Sequence, residues 1–514
     1  MRYITRSPGS PEIQPTDEEI ISSKLSTSLE SNLQYLQKLF QGCSDAVVRK
    51  FKFGRELSID AALVYFDGLM LKNEAETAVL RPLMIDFDIL KRSPETKSFD
   101  IYTAVRDYLL TAAELQEATT FQEVVEFTAS GDAALLIDGY AQALILDFKS
   151  WESRKVESPD EEVLIRGPKE GFTETLRFNT ALLRRRLKTN RFKTESMVLG
   201  RITRTSIVIC YIQDIAQDSL VNEVKKRLQT IDIDGVLDVG YLEELIEDHR
   251  FSLFPQVEHT ERPDRVVGHL LEGRVAVLVD GSPWAMVVPT TFPQFWNSPE
   301  DYYMRYIPST LTRILRQIAF LATLLLPSIY VATITYHQEM IPTPLLLTIA
   351  AAREGIPFPT FLEAFLMEVT FEILREAGLR MPRAIGPAIS IVGALVIGDA
   401  AVSAGLVSTP MVVVVAFTGI CSFSIPVYSA GVSLRMVRFL MLIAAAFLGY
   451  FGLMIGIIFL LIHLASISSF GVPYLAPLAP MRWEDLGDIL VRRPWWSSVR
   501  RPQTLAPGNR LRQA

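Results

Sequence analysis

Residues 371–415 read FEILREAGLRMPRAIGPAISIVGALVIGDAAVSAGLVSTPMVVVV. Within them, Ala384 to Val407 is long enough to cross a bilayer, which takes about 20 apolar residues. The span is built largely from small residues. Ser390, Ala394, Gly398, Ala401 and Gly405 follow helical spacing and make one smooth stripe. Such stripes let membrane helices approach closely, because lipid supplies no hydrophobic drive for them to associate. Opposite the stripe run Leu395, Val396, Asp399, Val402, Ser403 and Leu406. Asp399 is the only formal charge between Arg383 and Arg435. A carboxylate at membrane depth is costly, and it faces a bundle interior or a water path. A helix that packs on one face and offers a carboxylate on another suits an assembly around a pathway.

Working outward, the chain divides between water and membrane. It has 514 residues, 21% of them charged, and a mean hydropathy of +0.23. The charge lies mostly before Arg316 and after Arg482, and the net charge of −7 gives no case for nucleic acid. Cys43, Cys210 and Cys421 have neither metal spacing nor a disulfide framework. Residues 1–24 are polar and rich in Ser, Pro and Thr, a composition that predicts disorder and no signal peptide. The soluble part is therefore expected in the cytoplasm.

The soluble half carries an internal repeat. GDAALLIDG, Gly131 to Gly139, matches GRVAVLVDG, Gly273 to Gly281, and AALVYFDGL, Ala61 to Leu69, resembles IVICYIQDI, Ile207 to Ile215. Asp-Gly between apolar runs predicts hairpins over 133–148 and 275–288. The fold class is thus α+β followed by membrane α-helix. Two related α/β subdomains, 25–160 and 197–292, flank a basic helical linker, 161–196, that contains Arg184, Arg185 and Arg186. A solvated face is the plain reading of that cluster, and contact with acidic neighbours or lipid headgroups the functional one. Aromatics and prolines crowd 293–313, which predicts an elbow at the membrane surface.

Hydropathy places membrane spans at about 314–336, 384–407, 411–432 and 437–466. Residues 342–378 between the first two read as re-entrant or interfacial. There, Thr360 to Gly378 is amphipathic, with Phe361, Leu362, Phe365, Leu366, Val369 and Ile373 on its apolar side. Glu368, Glu372 and Glu376 follow one another at i, i+4 on another face, the wet side of an interfacial helix or a charged pore mouth. The tail, 482–514, is basic, with Trp495 and Trp496 as interface anchors, and positive-inside reasoning puts it in the cytoplasm. Four crossings satisfy that placement but leave Arg435 and Arg438 outside. A fifth crossing through Pro342 to Ile356 corrects those two and expels the tail.

The stretch from Phe371 to Phe423, together with GRVAVLVDGSPWAMVVPTTFPQFWNSPEDYY, Gly273 to Tyr303, resembles the A subunit of the GerA-type spore germinant receptors. The likeness runs from about Ser58 to Arg482 in order and spacing. Asp399 and Ser403 stand where the family is associated with longer polar residues such as Gln or Glu. The resemblance implies a ring of A subunits, pentameric, forming a nutrient-gated channel for monovalent cations in the spore inner membrane. It also implies a transporter-like B subunit that binds the nutrient and a lipoprotein C subunit. On this view Leu395, Asp399, Val402, Ser403 and Leu406 line the pore, and Glu368, Glu372 and Glu376 stand at its mouth.

Nothing in the sequence points to an enzyme or a cofactor. There is no HExxH, GxSxG, P-loop or GxGxxG after a strand. Asp138 and Asp280 read as turn residues. Two further classes compete with a channel: a secondary transporter, against which the hydrophobic half shows no inverted repeat, and a membrane-anchored sensor or scaffold.

Overall fold

The computed structural model describes residues 23–54, 58–90, 100–112, 114–149, 159, 162, 164–380, 398–506 and 508–512. They divide into two compact units. The first comprises 1–163, 168–245 and 259–287, and the second 164–167, 246–258 and 288–514.

In the first unit, β1 (Ala46–Phe53), β2 (Ile59–Phe66), β3 (Leu115–Ala118), β4 (Ala133–Ile137) and β5 (Ala143–Leu146) form one antiparallel sheet in the order β1-β2-β4-β5-β3. The sheet formed by β6 (Phe192–Leu199), β7 (Thr205–Ile212), β8 (Glu258–Thr260), β9 (Val275–Val279) and β10 (Ala285–Val288) repeats that order as β6-β7-β9-β10-β8. Both predicted hairpins are present as β4-β5 and β9-β10, and the repeat is one of topology as well as sequence. Every residue of β4, β5, β9 and β10 is buried. Unbroken apolar runs like these need cover on both faces. In the first sheet, α1 (Leu29–Leu39) and α2 (Phe121–Ser130) pack Leu33, Leu36, Phe121 and Val124 against Ala62, Val64 and Phe66. On the other face Val79, Leu83 and Phe87 meet Phe53, Leu63 and Leu135.

The repeat extends into the hydrogen bonds. Asp138 Oδ1 accepts from the Leu29 amide at 2.9 Å, and Asp280 Oδ1 accepts from the Leu176 amide at 3.1 Å. Asn32 exchanges two bonds with the Ser26 backbone, and Asn179 exchanges the same two with Thr173. Each aspartate therefore does more than end a turn. It satisfies an orphan amide at the start of a helix, tying its hairpin to α1 in one copy and to α3 (Leu176–Arg184) in the other. This corrects the reading of 161–196 as a linker, because α3 is the first helix of the second subdomain. The basic run at its end had masked the likeness to α1.

In the second unit, α6 (Tyr306–Tyr336) contains the first expected span. It is preceded in the chain by α4 (Asp218–Gln229) and α5 (Pro263–Leu271) of the first unit. After α6 come α7 (Thr343–Arg353), α8 (Thr360–Arg380), α9 (Gly398–Ser403), α10 (Thr409–Ser422) and α11 (Tyr428–Ser466). Most of the expected span 384–407 falls outside the described residues. The expected span 411–432 is shorter than hydropathy implied, since α10 stops at Ser422 and Pro426 bars its continuation.

The expected span 437–466 is not one crossing helix. Gly449 sits at φ +58°, ψ −139° inside α11, a backbone region open essentially to glycine alone. There the chain folds back. A Cβ on Gly456 would lie 2.7 Å from Met441 Sδ. Ser433 on one arm bonds the Leu253 carbonyl, and His463 on the other lies 3.0 Å from Ser252. α11 is thus a hairpin of two antiparallel arms, 428–448 and 450–466. Tyr336 closes it against the end of α6 by donating to the Ala446 carbonyl at 2.8 Å. Phe320 and Leu324 of α6 pack with Leu434, Val437, Met441 and Leu453.

Candidate functional site

Helix α8 does not hold its glutamates on one wet face. Glu363 and Glu368 are buried, whereas Leu366, Ile373 and Leu379 are exposed large apolar residues. Phe361, Phe365 and Phe371 pack beside the core of Val331, Ala364, Met411, Val415 and Leu442. A helix lying on a water-covered surface would bury its apolar side. This one buries Glu363 and Glu368 in the protein and shows Leu366, Ile373 and Leu379 outward, an arrangement that suits lipid around its first half, while Glu376 and Arg380 stay exposed at its end. Within this chain Glu368 is buried and Glu372 is half-buried. Glu376 is exposed and pairs with Arg380 at 2.6 Å.

The inward face of α8 meets the first arm of α11 in a charge cluster. Arg438 and Glu368 approach to 2.6 Å with both side chains 1% exposed. Arg435 Nε donates to Glu372 Oε1 at 2.9 Å. Arg375 donates to Ser422 Oγ of α10 at 2.6 Å, stands 3.6 Å from Glu372, and has its guanidinium 5.1 Å from the Phe371 and Phe423 ring centroids. Three arginines thus face two glutamates. Glu368 Oε1 and Arg438 Nε and Nη1 find no hydrogen-bond partner among the described residues. Arg435 and Arg438, expected between two spans, are therefore inside a helix and neutralised from across the bundle.

A second inward carboxylate fixes α10. Glu363 accepts from both the amide and the hydroxyl of Ser408. Ser408 is the N-cap of α10 and accepts from the Met411 amide at 3.4 Å. A negative charge at a helix N-terminus is favourable, so this contact sets where the small-residue segment ends. Of the expected pore-lining residues, Leu395 lies outside the described residues. Asp399, Ser403 and Leu406 are exposed, Val402 is half-buried and Val407 is buried. Asp399, Ser403 and Leu406 are thus left uncovered by the rest of this single chain.

The elbow and the tail form one clamp. Arg313, fully buried, donates to Asp301 Oδ2 at 3.1 Å and to the Asp488 carbonyl at 2.5 Å. Arg316 reaches Asp301 as well, and the Trp296 carbonyl at 2.6 Å. Tyr302 donates to Asp488 Oδ2 at 2.6 Å, and its ring lies 5.8 Å from that of Trp495. Hydropathy had separated elbow and tail. Asp301 and Asp488 are the acids through which the two segments meet.

The soluble unit holds a charge contact that the sequence reading had weighed against a solvated face. Arg184 is buried and grips Asp45 through two bonds of 3.0 and 2.8 Å, while donating to the carbonyls of Thr189 and Phe192. Thr194 adds a bond of 2.7 Å to Asp45. Arg185 and Arg186 pair with Glu170. Burial pushes the nearby thiols of Cys43 and Cys210 above their usual range, so they are poor nucleophiles.

A profile of the family described as Bacillus/Clostridium GerA spore germination protein matches residues 34–504. The membrane protein YfkQ of Bacillus subtilis (strain 168) is 44% identical to this chain over 94% of its length and 93% of the relative's. Spore germination protein KA of the same organism is 43% identical, with 95% and 89% covered. Spore germination protein B1 is 40% identical, with 95% and 100% covered. Among solved structures, the N-terminal domain of the A subunit of the Bacillus megaterium spore germinant receptor GerK3 matches at 35% identity and a TM-score of 0.40, covering 53% of this chain and 98% of that one. With a family profile spanning most of its length and relatives matched nearly end to end, the chain belongs to the GerA family of spore germination proteins.

Proposed function

We propose that this chain is the membrane subunit of a spore germinant receptor and that several copies enclose a nutrient-gated channel for monovalent cations. The observation that carries the reading is that Asp399, Ser403 and Leu406 are uncovered in the single chain, while Glu368 and Glu372 of α8 are paired with Arg438 and Arg435. A carboxylate left open in an apolar setting needs water or a partner. Copies of the same chain arranged about an axis give it both, and cyclic symmetry closes such an interface.

On this reading Leu395, Asp399, Val402, Ser403 and Leu406 line the pore. Val402 and Leu406 make a constriction that is dry when shut, and the carboxylate ring favours cations. Glu376 stands at the mouth, while Glu368 and Glu372 hold α8 to α11. A pentameric ring, a transporter-like B subunit that senses the nutrient, a lipoprotein C subunit and residence in the spore inner membrane complete the proposal. The clamp between the start of α6 and residues 488–496 supports an even number of crossings, with the soluble unit and the tail both on the cytoplasmic side.

The test is ion flux from liposomes holding the purified chain. Val402→Ser should give a leak without nutrient. Asp399→Asn should lower cation preference several-fold with the oligomer intact. An Asp399→Asn protein with unchanged selectivity but a broken oligomer would make Asp399 a packing residue and move the pore elsewhere.

A further inference from the structure

We propose that residues 481–512 form a pad that binds anionic phospholipid headgroups in the leaflet around the start of α6. The segment contains seven arginines, Arg482, Arg492, Arg493, Arg500, Arg501, Arg510 and Arg512, against Glu484, Asp485 and Asp488. All three acids are already engaged, Glu484 with Arg500 at 3.5 Å. Asp488 is held in the clamp by Arg313 and Tyr302, and Asp485 accepts from the Gln503 amide at 3.1 Å. Seven arginines against three acids leave a net positive segment.

The pad also carries aromatic anchors. Trp483, Trp495 and Trp496 are 77%, 50% and 74% exposed. Exposed tryptophan at this density is unfavourable in plain water and favourable at the headgroup level, where an apolar ring and a polar N–H are both satisfied. The clamp fixes the height of these rings, since Trp496 packs on Tyr306, the first residue of α6, at 5.6 Å. From that point an exposed apolar face runs up α6 through Ile307, Leu311, Leu315, Ile318 and Leu321. Continuity of that face with the tryptophans puts the arginines where lipid phosphates lie. Arg482, Gln503 and Thr504 line an open cleft of about 330 Å³ together with Gly471, Val472 and Pro473, and Arg482 offers a cationic group there to a phosphoglycerol headgroup.

The occupant is a lipid surface and not a soluble phosphate, because tryptophans beside arginines match a headgroup together with its acyl chain. The full-length chain is incorporated into nanodiscs of mixed phosphatidylglycerol and phosphatidylcholine, and the lipids retained on extraction are counted by mass spectrometry. Wild type should retain phosphatidylglycerol preferentially, and salt should erode the preference. The triple variant Arg482→Gln, Arg500→Gln, Arg510→Gln should lose it by about 10-fold or more. The Arg→Lys triple should keep it, which separates charge from folding. Retention unchanged in the Gln triple would overturn the proposal, as would displacement of the lipid by soluble glycerol phosphate.

Discussion

Arg184 and Arg438 are both about 1% exposed and each faces one carboxylate, yet they are buried in different ways. Arg184 donates to Asp45 twice and to two backbone carbonyls, and lies 4.3 and 4.6 Å from the ring centroids of Phe66 and Phe192. Its partner takes a further bond from Thr194. Arg438 has an ion pair and an aromatic neighbour, with most of its N–H groups unmatched. A buried charge is tolerable when every lone pair and proton is used. The first pair therefore defines one rigid joint between the two halves of the repeat. The second leaves Glu368 Oε1 and Arg438 Nε and Nη1 without a hydrogen-bond partner among the described residues.

The largest effect should come from breaking the satisfied pair. Asp45→Ala strands a guanidinium among aromatic rings and should destabilise the soluble unit by about 3–5 kcal/mol. The measurement is the thermal unfolding of the full chain, followed by proteolysis between the subdomains. A loss below about 1 kcal/mol would mean the joint is held by the Cys43–Thr194 backbone bridge instead.

The helical pair should respond in function more than in folding. Glu368→Arg and Arg438→Glu each place like charges together, and each should raise nutrient-independent ion flux by about 10-fold, a bias near 1.4 kcal/mol. The double swap should return flux toward wild type. Singles and double alike in flux would uncouple the two residues and remove the contrast with Arg184.

The smallest effect is a difference in labelling. Cysteines introduced at Glu376 and Glu368 should react unequally with a membrane-impermeant thiol reagent, the first fast and the second protected, because only Glu376 is exposed. Equal, rapid reaction at both would turn α8 back into a helix with a wet glutamate face.

Much of this was readable in the chain. The two hairpins followed from Asp138-Gly139 and Asp280-Gly281, since Asp-Gly turns and apolar runs are local signals. The four-residue spacing of Glu368, Glu372 and Glu376 was readable, but that Glu368 is buried, Glu372 half-buried and Glu376 exposed was not local information. Hydropathy gives the amphipathic pattern alike for a helix in water and one in a bundle. The direction depends on whether arginines such as Arg435 and Arg438 wait on a neighbouring helix.

The sequence by itself determined the division into an α/β region and an apolar helical region, the repeat, and the family. Each of these rests on composition, period or short-range spacing. Only the tertiary structure decided that α3 belongs to the second subdomain, that Gly449 folds one apolar run into a hairpin, and that Asp488 closes on Arg313 across 175 positions. These depend on which distant groups meet. An unbroken apolar run reads the same whether it continues or turns back, until a glycine at positive φ and its packed neighbours settle the path.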